Sequence, residues 1–103
     1  MVSVIDIGTN SVILLVAKKA GGTWDAIYEE ATATRSNKEI TISALRKFKT
    51  TSERLGVHEI LAIGTALFRS RNGKTLKAAI EKATGLTIKV LTPEDEATYS
   101  LRS

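Results

Sequence analysis

A carboxylate lies at the end of an apolar run and directly before a glycine-containing turn. Asp6 is the single acid in the β-branched run of residues 2–7, and a carboxylate in such surroundings must be paired, hydrated or metal-linked. The turn after it can bind an anion, since glycine allows close backbone approach and consecutive amides form a concave phosphate nest. The turn residues are Gly8, Thr9, Asn10 and Ser11. The same residue types also make ordinary hairpins, and Asp6 can simply accept hydrogen bonds from the turn, so both interpretations are open.

A second phosphate site is predicted where a buried strand ends and a helix begins. The apolar run of residues 60–63 leads into Gly64 and Thr65, and the free amides and the helix dipole at such a junction favour negative charge. Arg69 lies on the first turn of this helix. The structural alternative is that Thr65 only caps the helix and that Arg69 is solvated.

A cluster of acids follows Thr92 and Pro93. Helix capping explains Thr92 as the N-cap, Pro93 at the first helical position and Asp95 as the reciprocal member of a capping box. Capping does not require Glu96, which could point into a cleft as a base that activates water. The alternative is that Glu96 is structural, like its neighbours.

The composition predicts one folded domain with an anionic partner. The chain has 103 residues, of which 43% are hydrophobic and 25% are charged, with a formal net charge of +4. It has no cysteine and one histidine, which excludes disulfides and thiolate metal sites and argues against histidine-based zinc sites and Ser-His-Asp chemistry. The longest apolar run, residues 12–17, is too short for a membrane span, and the N-terminus has no signal-peptide pattern. We therefore expect a cytoplasmic protein with no membrane partner.

Apolar periodicity and turn residues predict three strands followed by helix, strand, helix, strand and helix. The predicted strands span residues 2–7, 12–17, 24–33, 60–63 and 86–91. The predicted helices span residues 41–55 and 74–83, with a helical segment at 66–71 before the second and a last helix starting at residue 92. This order combines an antiparallel meander with two right-handed crossovers, which indicates a mixed α/β sheet of the ribonuclease H-like type.

Four segments, taken in order, resemble the exopolyphosphatase and guanosine pentaphosphate phosphatase (Ppx/GppA) family. Residues 4–17 resemble the opening phosphate motif of the family, and residues 32–35 resemble the Thr-Arg that ends its third strand. Residues 64–69, followed by Asn-Gly at 72–73, resemble its Ala-Thr-Ser-Ala-Leu-Arg segment. Residues 84–97 resemble its stretch from Thr-Gly-Leu to Glu-Glu-Ala.

The resemblance implies the N-terminal lobe of an actin-like ATPase fold that hydrolyses a terminal phosphoanhydride. The implied substrates are inorganic polyphosphate and guanosine pentaphosphate, bound in a cleft between two lobes with a magnesium ion (Mg2+) as cofactor. By position, Glu96 would be the base that activates water, Arg69 would hold a phosphate and Asp6 would organise the metal shell. The turn of residues 8–11 would form the first phosphate loop.

This chain departs from the family pattern in two places. The loop between the third strand and the first helix is contracted near residues 35–40. Family members continue beyond a point equivalent to residue 103 into a second phosphate motif and a second lobe. We therefore expect residues 1–103 to form a single, truncated N-terminal lobe, whose cleft is completed by the second lobe or by self-association.

The sequence also allows other functions. A non-catalytic module could bind polyanions or a partner through the basic region of residues 69–77, and a truncated scaffold could have no activity. A sugar-kinase or chaperone lobe is disfavoured, because residues 65–69 and 94–97 are not typical of those relatives. A ribonuclease H-type nuclease needs several carboxylates around two metals, whereas residues 60–63 contain none, so no specific nucleic-acid partner is expected.

Overall fold

The chain begins with a three-stranded antiparallel meander, as the sequence predicts. A computed structural model describes residues 1–69, 71–92 and 94. The strands of the meander are β1 (Val2–Ile7), β2 (Ser11–Ala20) and β3 (Thr23–Ala33). Runs of valine, isoleucine and leucine favour β1 and β2, because branched side chains pack well on a pleated surface.

The turn between β2 and β3 consists of Gly21 and Gly22, with φ angles of 58° and 89°. Positive φ at both central residues matches the twist of the flanking strands, and glycine adopts it without steric cost. β2 is longer than the predicted 12–17, because Lys18 and Lys19 continue the ladder with β3 up to this turn.

Helices and strands alternate through the rest of the described chain. They are α1 (Lys38–Arg54), β4 (Glu59–Gly64), α2 (Ala66–Arg69), α3 (Gly73–Thr84) and β5 (Ile88–Val90). α1 begins earlier than the predicted residue 41, because the Asn37 side chain accepts a hydrogen bond from the Ile40 N–H at 3.0 Å and caps the helix at Lys38.

Two predicted elements are shorter in the structure. α2 ends at Arg69, so the helical segment predicted over residues 66–71 is a single turn. β5 covers less than the predicted 86–91, because the Leu86 N–H donates to the Thr84 hydroxyl at 3.2 Å and belongs to the turn after α3. Of the predicted last helix, Glu94 is helical and residues 95 onward lie outside the described residues.

The strands form one five-stranded mixed sheet in the order β3-β2-β1-β4-β5. β1 pairs with β2 antiparallel and with β4 parallel, and β4 pairs with β5 parallel. α1 connects β3 to β4, and α2 and α3 lie between β4 and β5. The predicted mixed α/β sheet is therefore confirmed.

The core lies between one face of the sheet and the two long helices. Burial alternates along β1 and β2, which places every second side chain against the helices. The core cluster contains Ile5 and Leu14 from the sheet, Phe48 from α1 and Ile80 from α3. Because these side chains are fully buried, they fix the position of both helices relative to the strands.

Among residues 1–69, 71–92 and 94, none of the helices is long and apolar enough to span a membrane.

Candidate functional site

The three parallel strands end side by side at one edge of the sheet. Their last residues are paired, Ile7 with Gly64 and Gly64 with Val90. The segments that follow therefore leave the sheet next to one another, and the Leu91 N–H donates to the Gly64 carbonyl at 2.8 Å. We call this edge the rim, formed by residues 8–11, 34–37, 64–69 and 91–92. In open α/β sheets, ligands bind at the carboxyl ends of the strands.

The turn between β1 and β2 presents backbone donors at the rim. The Gly8 N–H donates to the Ser11 carbonyl at 2.9 Å, which closes the turn. Thr9 and Asn10 are exposed, and within the described part of the chain their amide N–H groups donate to no protein acceptor. A side chain at position 8 would place its Cβ in tight contact with the Ser11 carbonyl, at 3.3 Å. The turn can therefore offer amides to an anion.

A second turn, residues 34–37, packs against the first one. The Asn10 carbonyl accepts hydrogen bonds from the N–H groups of Thr34 at 2.8 Å and Arg35 at 3.2 Å. The Thr9 carbonyl accepts from the Ser36 N–H at 2.8 Å and from the Ser36 hydroxyl at 3.2 Å. The sequence contained a signal for this turn, the contraction near residues 35–40, but no indication of what it contacts.

The turn after β4 brings Arg69 to the same edge. The Thr65 carbonyl accepts the Phe68 N–H at 3.0 Å and starts the single turn of α2, so Arg69 follows directly. An Arg69 guanidinium nitrogen donates to the Leu91 carbonyl at 3.0 Å. This bond holds the cation beside the end of β5, where the acids after Thr92 begin.

Asp6 lies one residue before the end of β1, on the face of the sheet opposite the helices. Its Cα neighbours are Ile13 on β2 and Ile63 on β4, and its side chain is half-buried. No group of three or more His, Cys, Asp or Glu side chains that could hold a metal ion occurs in the part of the chain that the structure describes. Asp6 is the carboxylate that directly precedes the turn of residues 8–11 along the chain.

Away from the rim, a cleft of about 420 Å3 lies between α3 and the edge strand β5. It is lined by Phe68, Lys74, Lys77, Ala78, Glu81 and Val90. The Glu81 carboxylate accepts the Ile88 N–H at 2.7 Å and pairs with Lys77 at 3.3 Å. The Ile88 N–H, and then Lys77, hold the pKa of Glu81 below its usual value. This cleft contains part of the basic region that the sequence indicated at residues 69–77.

The family is shown by a match that covers almost all of the sequence. A model of the Ppx/GppA phosphatase family matches residues 4–103. The chain belongs to the Ppx/GppA phosphatase family. The resemblance predicted from the four ordered segments is thus confirmed. Among curated proteins, no sequence matches the chain significantly.

Solved structures of Ppx/GppA proteins share the fold. The chain is 28% identical to the Aquifex aeolicus Ppx/GppA phosphatase, with a TM-score of 0.85 over 99% of this chain and 41% of that one. It is 23% identical to an exopolyphosphatase from Cytophaga hutchinsonii, with a TM-score of 0.79 over 87% of this chain and 33% of that one. The predicted actin-like fold is therefore confirmed, and the chain spans about two fifths of the Aquifex protein.

A more distant likeness concerns the fold alone. RuvC from T. thermophilus, solved with a Holliday junction, is 13% identical, with a TM-score of 0.53 over 90% of this chain and 64% of that one.

The structure brings together those predicted positions of a Ppx/GppA site that it describes. The turn of residues 8–11, Thr65 and Arg69 lie along the rim, and Asp6 precedes it on β1. Glu96, the predicted base, lies outside the described residues, and the nearest described residue along the chain is Glu94. No sequence pattern predicted that Arg35 and Ser36 contact the turn of residues 8–11.

Proposed function

We propose that this chain forms one wall of a phosphohydrolase site that releases terminal phosphate from inorganic polyphosphate or guanosine pentaphosphate. The observation that carries the proposal is the arrangement of the rim in a Ppx/GppA chain: an amide-presenting turn and an arginine follow neighbouring parallel strands. A linear chain of phosphates could contact both at once. The protein from Cytophaga hutchinsonii that shares this fold is an exopolyphosphatase, and we infer the same class of substrate for this chain.

The turn of residues 8–11 would bind one phosphate through its backbone. The N–H groups of Thr9 and Asn10 are exposed, and the Asn10 amide and Ser11 hydroxyl add side-chain donors close by. Oriented amides need no reorganisation when charge develops on phosphate oxygens, which is why such donors lower the barrier to phosphoryl transfer.

Arg69 would hold a second phosphate at the other end of the rim. A guanidinium matches phosphate geometry with a planar fork of donors. Its bond to the Leu91 carbonyl orients the side chain along the rim before substrate arrives, which reduces the entropy lost on binding. Thr65, one turn before it, is half-buried at the end of β4 and would contact the same phosphate.

Glu96 would remove a proton from the attacking water. We base this role on the resemblance to the family, since Glu96 follows the end of β5 by a few residues and β5 ends at the rim. A positioned carboxylate accelerates such a step by about 10²–10⁴-fold.

The residues before the rim fit a Mg2+ ion. This ion usually keeps several waters and takes one or two carboxylates plus substrate phosphates, so a single half-buried carboxylate such as Asp6 suits it. When bound, the ion would offset charge on the phosphate oxygens. Asp6 would hold it beside the turn of residues 8–11.

A complete cleft needs an opposing wall. Since the chain covers 41% of the Aquifex protein, we propose that a second lobe of the same family, or a second copy of this chain, supplies the remaining contacts. We also propose a cytoplasmic location, since a chain without cysteine has no disulfide that would call for an oxidising compartment.

Two measurements on the 103-residue chain test the proposal. In an NMR titration with inorganic polyphosphate, we expect shifts at Thr9, Asn10 and Arg69, and a roughly tenfold weaker affinity for Arg69→Gln. The matched control is Arg54→Gln, an exposed arginine at the end of α1 away from the rim, which should bind like the parent. Shifts confined to the α3 cleft would contradict the rim as the binding site.

Phosphate release from long-chain polyphosphate tests the catalytic part. We expect Glu96→Gln to lower the rate by at least about 10²-fold, while Glu59→Gln, at the start of β4, leaves it unchanged. Equal and measurable rates for the parent and Glu96→Gln would remove Glu96 from the mechanism.

The second candidate is a module that binds polyanions without hydrolysing them. The cleft between α3 and β5 favours it, because Lys74 and Lys77 line an open space of about 420 Å3. Its mark would be binding that weakens steeply with salt, and that Lys74→Gln reduces more than Arg69→Gln does.

A further inference from the structure

The carbonyl groups of the turn at residues 8–11 are held by a second turn. Thr9 and Asn10 each accept two hydrogen bonds from residues 34–36, at distances from 2.8 to 3.2 Å. Four donors thus act on two neighbouring peptide units. Such a set of bonds fixes the orientation of both units, not only the position of the chain.

The orientation of these carbonyls decides where the amides point. In a trans peptide the C=O of one residue and the N–H of the next lie in one plane and point in opposite directions. The chain has no cis peptide bond in the described residues. With the carbonyls of Thr9 and Asn10 held by the second turn, the N–H groups of Asn10 and Ser11 must both point away from it, to the same side.

The second turn adopts a costly conformation to make these bonds. Arg35 and Ser36 have φ angles of 49° and 62°, a left-handed conformation that residues other than glycine seldom adopt, and rarely in succession. Strain of this kind persists only where the surroundings enforce it, and it clusters at functional sites. The fully buried Thr34 hydroxyl also has no hydrogen-bond partner within the described residues, which is a second cost at the same turn.

The second turn is tied to the core. The Asn37 N–H donates to the Thr34 carbonyl at 2.9 Å and closes the turn. The Asn37 side chain caps α1, whose Leu45 and Phe48 are fully buried. The position of the turn is therefore set by the packing of α1 on the sheet.

We propose that residues 34–37 act as a brace that orients the amides of the phosphate loop, with Ser36 as a positioning residue. The inference rests on the proposed function of residues 8–11 as a phosphate loop. Ser36 donates twice to the Thr9 carbonyl, through its N–H and its hydroxyl. Its effect on binding is to keep the Asn10 N–H turned toward the ligand.

Ser36→Val and Ser36→Asn form a matched pair for the test. Valine strongly disfavours the left-handed conformation, whereas asparagine tolerates it and keeps the backbone bond to Thr9. By NMR titration with inorganic tripolyphosphate, we expect about tenfold weaker affinity for Ser36→Val and a loss of at most about threefold for Ser36→Asn, which also lacks the hydroxyl bond. Ser36→Ala removes only the hydroxyl bond, and we expect a loss of about threefold.

Residual dipolar couplings of the Asn10 and Ser11 N–H groups provide a readout that needs no ligand. We expect altered couplings in Ser36→Val and parent-like couplings in Ser36→Asn. Parent-like affinity and couplings in Ser36→Val would overturn the brace. If Ser36→Val does not fold, parent-like affinity in Ser36→Ala would do so. Altered couplings in Ser36→Val, with no tripolyphosphate binding by any variant or by the parent, would support the brace and overturn the phosphate loop.

Discussion

The turns at the two ends of the sheet differ in which residues adopt positive φ angles. At the end opposite the rim, every positive φ angle in the described residues belongs to a glycine. These glycines are Gly21, Gly22, Gly56 and Gly85. At the rim the positive φ angles belong to Arg35 and Ser36, whereas Gly8 and Gly64 have ordinary φ angles and serve close approach instead.

The difference separates turns that only connect elements from turns that carry side chains and bonds for another purpose. At Gly21 and Gly22 nothing lies within 4 Å of an added Cβ, so the turn is free of its surroundings. At the rim a strained conformation is kept although glycine would relieve it. Local rules of sequence and structure are most often broken at functional sites, which agrees with our assignment of the rim as the binding edge.

Among variants at the two ends of the sheet, Gly64→Ala at the rim is expected to lower the stability most. An added Cβ would overlap the ring of the buried Phe68 and approach Ile88 at 3.2 Å, so neither the helix nor the strand can yield easily. We expect the free energy of unfolding to fall by about 2–3 kcal/mol, measured by urea denaturation. Gly8→Ala is the control, because its Cβ meets a single carbonyl at 3.3 Å. Equal losses for both variants would contradict tight packing at Gly64.

A smaller loss is expected from Gly22→Ala at the opposite end. The φ angle of 89° disfavours alanine, but the space around the turn is open, so the cost is about 1–2 kcal/mol of conformational energy. Thermal unfolding measures it. Tripolyphosphate affinity should not change, since the turn lies at the far end of β2. A variant with weaker affinity but parent-like stability would show that the two ends are coupled.

The third variant, Arg35→Gly, should stabilise the chain. Glycine relieves the left-handed strain but loses more conformational entropy on folding than arginine does. We expect the relief to be the larger of the two, with a net gain of about 0.5 kcal/mol in the free energy of unfolding. Lys38→Gly, in the first turn of α1, is the control and should destabilise, because its conformation is already helical. Destabilisation of similar size in both variants would mean that Arg35 is not strained.

The smallest effect concerns pH. The Ile88 N–H and Lys77 lower the pKa of Glu81 from its usual value of 4.5, and Lys47 and Tyr28 lower that of Glu30. A carboxyl group whose folded pKa is depressed stabilises the fold above its unfolded pKa. This stability is lost as the pH falls below 4.5 and through the folded value.

Melting temperatures across that range measure the loss. Glu81→Gln should flatten the pH dependence more than Glu30→Gln does, because Glu81 joins α3 to β5 through a backbone bond whereas Glu30 pairs with side chains on the surface. An unchanged pH dependence in Glu81→Gln would remove this link between α3 and β5.

Much of the fold could be predicted from local patterns. Alternating apolar residues gave the meander, and the glycines at 21–22, 56 and 85 marked turns that the structure confirms. Boundaries were missed where a long-range or capping contact decides them. The Asn37 cap starts α1 early, and the bond from Leu86 to Thr84 delays β5.

The candidate site could be predicted only as a set of segments. Motif order identified residues 8–11, Thr65 and Arg69, because glycine turns and basic residues after strands have a recognisable chemistry. The bond from Arg69 to the Leu91 carbonyl joins residues far apart in the chain, and no local pattern encodes it. The left-handed pair at Arg35 and Ser36 was also missed, because neither residue type predicts that conformation.

The sequence by itself determined the order of elements, the mixed sheet and the family, because periodicity, turn glycines and motif order are local properties of the chain. Tertiary structure alone decided which strand ends meet and which way the amides of Asn10 and Ser11 point. Those amides are oriented by bonds from a second turn, in which Ser36 lies 27 residues from Thr9 along the chain, and no local pattern encodes a contact over that separation.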